Sequence, residues 1–225
     1  MVIIYFALFV VLTGIHLYGS YKQQKSIRAA TKPLILLTIL GMYLEWCHSF
    51  RSDPSIFVVL ALLTSWLGDV LLIPSGIKWF TAGGISFWIS HFFFILAYYE
   101  SGVIFSQIPL WLILLICVIY CAAAVFIFEK LKKSLPKALF YPMFFYFLTN
   151  GAMNAFAWFR LLSGSCTVLS GLVTAIGAVL FFLSDAALFF VRFDKNSRVK
   201  THFLVMLLYS IGEFLIAFGL MLLKI

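Results

Sequence analysis

The chain has 225 residues, of which 64% are hydrophobic and 11% charged, against roughly 45–50% and 25% in soluble globular domains. A soluble core cannot absorb that much apolar surface, so the bilayer is the solvent of this protein. The formal net charge of +8 would suit a nucleic-acid partner only if the cations formed one surface; they fall between the apolar runs instead, and nucleic acid is excluded.

Runs of the roughly 20 apolar residues that a span requires recur from end to end. They predict an all-α, polytopic integral membrane bundle in one transmembrane domain of about eight spans: Val2 to Gly19, Pro33 to Phe50, Ser55 to Ile73, Phe80 to Tyr99, Ile108 to Phe128, Ala138 to Phe159, Val168 to Val191 and Phe203 to Leu223. The first run has its basic segment after it, the reverse of a cleavable signal peptide, and is expected to stay as an anchor. Pro33, Pro54 and Pro109 lie at or next to predicted helix starts, and Pro74 closes the third span. Pro142 falls in the opening turns of the sixth, where proline can kink a helix.

Thirteen of the 16 Lys and Arg lie in the odd-numbered connections, leaving Arg51, Arg160 and Lys224 for the even ones and the C-terminus. By the positive-inside rule the odd connections are cytoplasmic and both termini are outside. Short loops leave no room for a soluble domain and favour a bacterial inner membrane. Cys47, Cys117, Cys121 and Cys166 lie in or beside apolar runs without a CxxC; Cys117 and Cys121, on one helix face, are read as packing residues. WLGDVLL and FLSDAAL set Asp69 and Asp185 after small residues 116 positions apart, a match too short to establish an internal repeat.

An ionisable group within a span costs about 2.5–3.5 kcal/mol on insertion scales, so each one is a functional hypothesis. The candidates are Glu45, His48, Asp69, His91, Asp185 and Glu213. Asp69 and Asp185 lie in spans of the same direction, both roughly 6–9 Å from the cytoplasmic end. Two carboxyls sharing a desolvated site do not both ionise easily, which supplies an acid and a base together. The plainer alternative pairs each with a loop cation such as Lys78 or Arg192. His91 is either a substrate or proton group or a histidine bonded to a neighbouring helix. Tyr146, Asn150 and Asn154 form an i, i+4, i+8 stripe that lines a wet cavity or joins helices, and Tyr209 with Glu213 repeats the spacing. Glu45 and His48 form a Glu-x-x-His pair, but a carboxylate metal site needs a second pair and more Glu, and no metal is expected. No GxSxG, P-loop or GxGxxG occurs.

Lys32-Pro33, GDVLL around Asp69, Phe87 with His91, and LFFLSDAALFFVRF around Asp185 together resemble the YhhN-like, or lysoplasmalogenase, family of eight-span membrane proteins, from about Lys32 to Tyr209. The resemblance implies hydrolysis of the vinyl ether of lysoplasmalogens, releasing a fatty aldehyde and glycerophospho-choline or -ethanolamine. It gives weight to Asp69 and Asp185 as catalytic groups, and to His91, Ser184, Lys32, Tyr146, Asn154 and Tyr209, with Ser184 orienting Asp185 and the sixth-span stripe, Asn150 included, lining the substrate cavity. The implied chemistry needs no metal or organic cofactor, and its partners are a lysophospholipid substrate and the membrane lipids, with the oligomeric state left open. Phe94 stands where the family pattern suggests Tyr, and Glu213 where it suggests Gln. Outside this class, the same carboxylates would serve a small proton- or cation-coupled transporter or lipid-translocating protein, or a lipid-binding protein without turnover.

Overall fold

A computed structural model describes residues 1–194 and 202–222. Within them the chain forms α1 (Val2–Tyr21), α2 (Lys25–Ser49), α3 (Ile56–Leu71), α4 (Ile77–Glu100), α5 (Leu110–Leu131), α6 (Phe140–Leu162), α7 (Val168–Phe193) and α8 (His202–Met221), with single 3-10 turns at Phe105–Gln107 and Lys137–Leu139 and no strand. Six of these helices, all but α3 and α6, are long and apolar enough to cross a membrane. α3 has 16 residues and spans about 24 Å, short of a roughly 30 Å hydrocarbon core. α6 is long enough, but Asn150, Asn154 and Arg160 lower its hydropathy. Ile3, Val11, Leu110, Trp111 and Val118 lie exposed on α1 and α5, a belt that water would not tolerate and lipid accepts. The chain is an integral membrane protein.

Successive helices pack as hairpins, α1 on α2, α3 on α4 and, most extensively, α7 on α8, while α6 packs against α4, α5 and α7. The closest approach is between α7 and α8, where a Cβ on Gly177 would lie 2.7 Å from the Ile216 backbone nitrogen and one on Gly212 would lie 2.9 Å from that of Phe181. Small residues let membrane helices reach backbone contact without a hydrophobic drive between them. This contact sets α7 and α8 side by side where they carry Asp185 and Tyr209.

Four sequence expectations need correction. α2 begins at Lys25, eight residues before Pro33, which lies inside the helix. Hydropathy alone stops at the basic residues, but a helix started in the membrane continues into the charged interface, and α2 tolerates the missing Pro33 N–H at the expense of one bond to the Ala29 carbonyl. α4 likewise starts at Ile77 and takes in Lys78. Pro142 is the third residue of α6, where no helical acceptor awaits its N–H, so no kink is required. Cys117 and Cys121 lie on the exposed face of α5 rather than in the packing. Lys195, Arg198 and Lys200 and the expected end of the last span at Leu223 lie outside the described residues.

Candidate functional site

A cavity of about 170 Å³ opens at the bundle end formed by the close of α1, α3 and α7 and the start of α2 and α8, and both Asp69 and Asp185 line it. Asp69, in the last turn of α3, is buried, as are Asp185 and Tyr209; these make the floor. The rim is basic: Lys25, Arg28 and His202 line the opening, with Lys32 deeper and His16 in the wall. Lys25, Arg28 and Lys32 are three and four residues apart on α2 and so share one helical face.

The two carboxyls are held by different partners. Lys32 Nζ lies 3.1 Å from Asp69 Oδ1, and the Tyr209 hydroxyl donates to Asp69 Oδ2 at 2.9 Å. Asp69 therefore pairs with Lys32, not Lys78, and the Arg192 guanidinium sits over the Phe80 ring. Asp185 Oδ2 accepts two hydrogen bonds, from the Tyr146 hydroxyl at 2.5 Å and from Asn150 Nδ2 at 2.8 Å. Among the described residues no hydrogen bond joins Asp69 to Asp185, and no Lys or Arg forms an ion pair with Asp185.

Behind Asp185 the α6 stripe forms a directional chain. Trp158 Nε1 donates to the Tyr120 hydroxyl at 3.0 Å, that hydroxyl donates to Asn154 Oδ1 at 3.3 Å, and Asn154 Nδ2 donates to Asn150 Oδ1 at 3.0 Å. With its oxygen so occupied, Asn150 can only turn its NH2 toward Asp185, and the series fixes both amide orientations. Asn150 and Asn154 are completely buried and do not line the cavity; they hold a carboxylate that does.

His91 is also fully buried behind Asp185, its Nε2 3.7 Å from Asp185 Oδ2, beyond hydrogen-bond range. Its ring packs against Tyr146 and Phe181, with centroids at 5.1 and 5.3 Å. Neither ring nitrogen has a hydrogen-bond partner among the described residues, so the alternative of a histidine bonded to a neighbouring helix is not what forms. Ser184 lines the cavity, but its hydroxyl donates to the Val205 carbonyl of α8 at 2.9 Å. It ties α7 to α8 rather than orienting Asp185. Glu213 is buried one turn beyond Tyr209 and does not line the cavity.

Sequence reasoning missed His16, Lys25, Arg28 and His202. The i, i+3, i+7 spacing of Lys25, Arg28 and Lys32 would have revealed their common face had the segment been read as helix. His16 Nδ1 lies 2.8 Å from the Thr31 hydroxyl, a contact between helices that no local pattern announces.

A family model matches residues 27–220, from the first turn of α2 to the last of α8. The chain belongs to the YhhN family. The matched region holds every YhhN motif noted above together with both carboxylates, Lys32, Tyr146 and Tyr209. No match was found among curated proteins or among solved structures.

Proposed function

We propose that the protein hydrolyses the vinyl ether bond of a lysoplasmalogen, with Asp185 as the proton donor and Asp69 as the carboxylate that stabilises the cation and activates water. The observation that carries this reading is a single cavity with two buried carboxyls in unlike settings, one paired with Lys32 and one held by neutral donors. The Lys32 ammonium and the Tyr209 hydroxyl both favour a carboxylate at Asp69. Asp185 lies among neutral groups, and since its Oδ2 already accepts two hydrogen bonds, an acidic proton would sit on Oδ1. Membership in the YhhN family supports a lysoplasmalogenase-type activity at the level of the family.

Asp185 gives its proton to the outer alkene carbon, and the ether carbon becomes an oxocarbenium ion facing the Asp69 carboxylate. Water adds to that carbon and passes a proton to Asp69, forming a hemiacetal. The hemiacetal hydroxyl then returns a proton to Asp185 while Asp69 protonates the departing glycerol oxygen, so the carbon–oxygen bond breaks and both carboxyls regain their starting states. This is the two-carboxylate logic of glycoside hydrolysis acting on a related cation. The basic rim suits the phosphate that lies a few bonds from the ether oxygen.

The test is aldehyde release by detergent-purified protein from a 1-alkenyl lysophospholipid and from its 1-acyl counterpart. Aldehyde from the alkenyl lipid alone, reduced about 10²–10⁴-fold by Asp185→Asn and by Asp69→Asn, is expected. Near wild-type rates in either folded variant would overturn the assignment.

A further inference from the structure

Beside the cavity, on the lipid-facing side, α4 and α6 part to leave an apolar groove of about 550 Å³. Gly84, Ile85 and Trp88 line it from α4 and Pro142 and Phe145 from α6, with Phe189 of α7 at its base. Ile85, Tyr141 and Phe145 are exposed at its lip, so in a membrane the groove opens onto acyl chains. Its polar side-chain groups are the Thr81 and Tyr141 hydroxyls and the Trp88 indole N–H, with the Tyr146 hydroxyl turned to Asp185, and such a lining accepts hydrocarbon and disfavours a charged head group. Thr81 to Trp88 spans about 10 Å of helix. Beyond Trp88 a hydrogen bond from its Nε1 to the Thr149 hydroxyl at 2.9 Å braces α4 to α6 and closes that end.

The groove adjoins Asp185 through one layer of aromatic rings. Tyr146 links the two chambers, since its side chain lines the groove while its hydroxyl donates to Asp185, which lines the cavity. Phe189 packs on Tyr146 with centroids at 5.7 Å and on Phe80 at 5.3 Å, and its neighbour Leu188 lines the polar cavity. A polar, basic-rimmed chamber and an apolar one open to lipid thus lie on either side of the Tyr146 and Phe189 rings, with Asp185 on the polar side. A molecule whose reacting bond joins a hydrocarbon chain to a glycerophosphate needs that division.

We propose that the groove between α4 and α6 seats the single hydrocarbon chain of a lysophospholipid, with Tyr146 and Phe189 the partition at which the bond to be cleaved reaches Asp185. This rests on the hydrolase reading and adds to it the position of the chain and the route from the bilayer. Gly84 provides the lever. A Cβ there meets nothing within 4 Å, so a large side chain can fill the groove without displacing a packed neighbour.

The experiment uses full-length protein in lipid nanodiscs and a non-cleavable 1-alkyl lysophospholipid bearing a diazirine on its chain, with adducts mapped after photolysis. Adducts concentrated on residues 84–88 and 141–146, reduced about tenfold by Gly84→Trp and unchanged by Gly14→Leu on the distant α1, are expected. Adducts spread evenly around the apolar belt, or unaltered by Gly84→Trp, would overturn the proposal. In turnover, Gly84→Trp is expected to lower kcat/KM for long alkenyl chains about tenfold relative to short ones; an unchanged ratio counts against the groove. Groove labelling without aldehyde release would sink the reaction and keep the chain site, whereas aldehyde release with labelling elsewhere would do the reverse.

Discussion

Asp69 and Lys32 form a pair in which the aspartate side chain is 1% exposed and the lysine side chain 16%, so removing the cation alone leaves a buried acid without its partner. Breaking such a pair costs about 3 kcal/mol or more, whereas replacing both partners by neutral groups is much less damaging. Lys32→Gln is therefore expected to lower the melting temperature in detergent by several degrees, and Lys32→Gln combined with Asp69→Asn to recover most of that loss without regaining turnover. A double variant no more stable than the single one would show that the pair is not the source of the effect. Tyr146→Phe removes one of the two donors on Asp185; a hydrogen bond to a charged or strongly polar acceptor is worth about 1.5–3 kcal/mol, and kcat should fall roughly 10- to 100-fold with KM little changed. An unchanged kcat in the folded variant would show that the hydrogen bond to Asp185 does not serve the reaction. Asp69 and Asp185 were legible in the sequence because an acid within an apolar run has few bland explanations. Their partners were partly legible, as Tyr146 and Asn150 share a helical face, but the Ser184 bond to Val205 depends on the α7–α8 contact, which no local pattern encodes.

Helix packing puts these side chains in register, and the α7–α8 contact is where it tolerates least change. A Cβ on Gly219 would lie 2.2 Å from the Thr174 hydroxyl oxygen and 2.9 Å from the Ser170 carbonyl. Gly177→Ala or Gly219→Ala must move one helix from the other, an overpacking that typically costs about 1–3 kcal/mol and corresponds to some 2–4 °C of Tm per kcal/mol in a chain of this size. Gly14→Ala, with open space at its Cβ, is expected to leave Tm unchanged or raise it slightly through helix propensity. Equal effects at Gly14 and Gly177 in a thermal melt would contradict the close-packing account. Most helices were legible from their apolar runs, but the start of α2 was not, because charged residues end a hydropathy run without ending a helix. Arg160 escaped for a related reason. Counted by sequence as a loop cation, it is completely buried and donates to Ser101, Thr174 and Ser170, the last of which bonds the Gly219 carbonyl. It thereby ties the end of α6 to the α4–α5 connection, α7 and, through Ser170, α8, using the forked donors that lysine lacks.

Across the whole molecule the cavity and the basic connections lie at one end, so the side of the membrane that the mouth faces follows from charge. The helix ends and connections that meet there carry Lys22, Lys25, Arg28 and Lys32 around the α1–α2 turn, Lys78 at the start of α4, Lys130, Lys132, Lys133 and Lys137 between α5 and α6, and Arg192 at the end of α7. If the positive-inside rule governs insertion, the mouth faces the cytoplasm, both termini lie outside, and substrate approaches from the inner leaflet. The short α3 and the polar α6 strengthen the case for a direct test, because neither meets the length and hydropathy of an autonomous span, and losing either one from the membrane would reverse everything after it. In a background with Cys47, Cys117, Cys121 and Cys166 replaced, Lys22→Cys and Arg51→Cys place single thiols on exposed positions at opposite ends of α2. A membrane-impermeant maleimide should label Arg51→Cys in intact cells and Lys22→Cys only after the membrane is opened. The opposite pattern would invert the molecule and put the basic rim, and with it the phosphate it suits, on the outer face. A single thiol at Lys137, before α6, labelled in intact cells while Lys22 is protected would instead show that a helix between them does not cross, and the eight-span topology would have to be redrawn around α3.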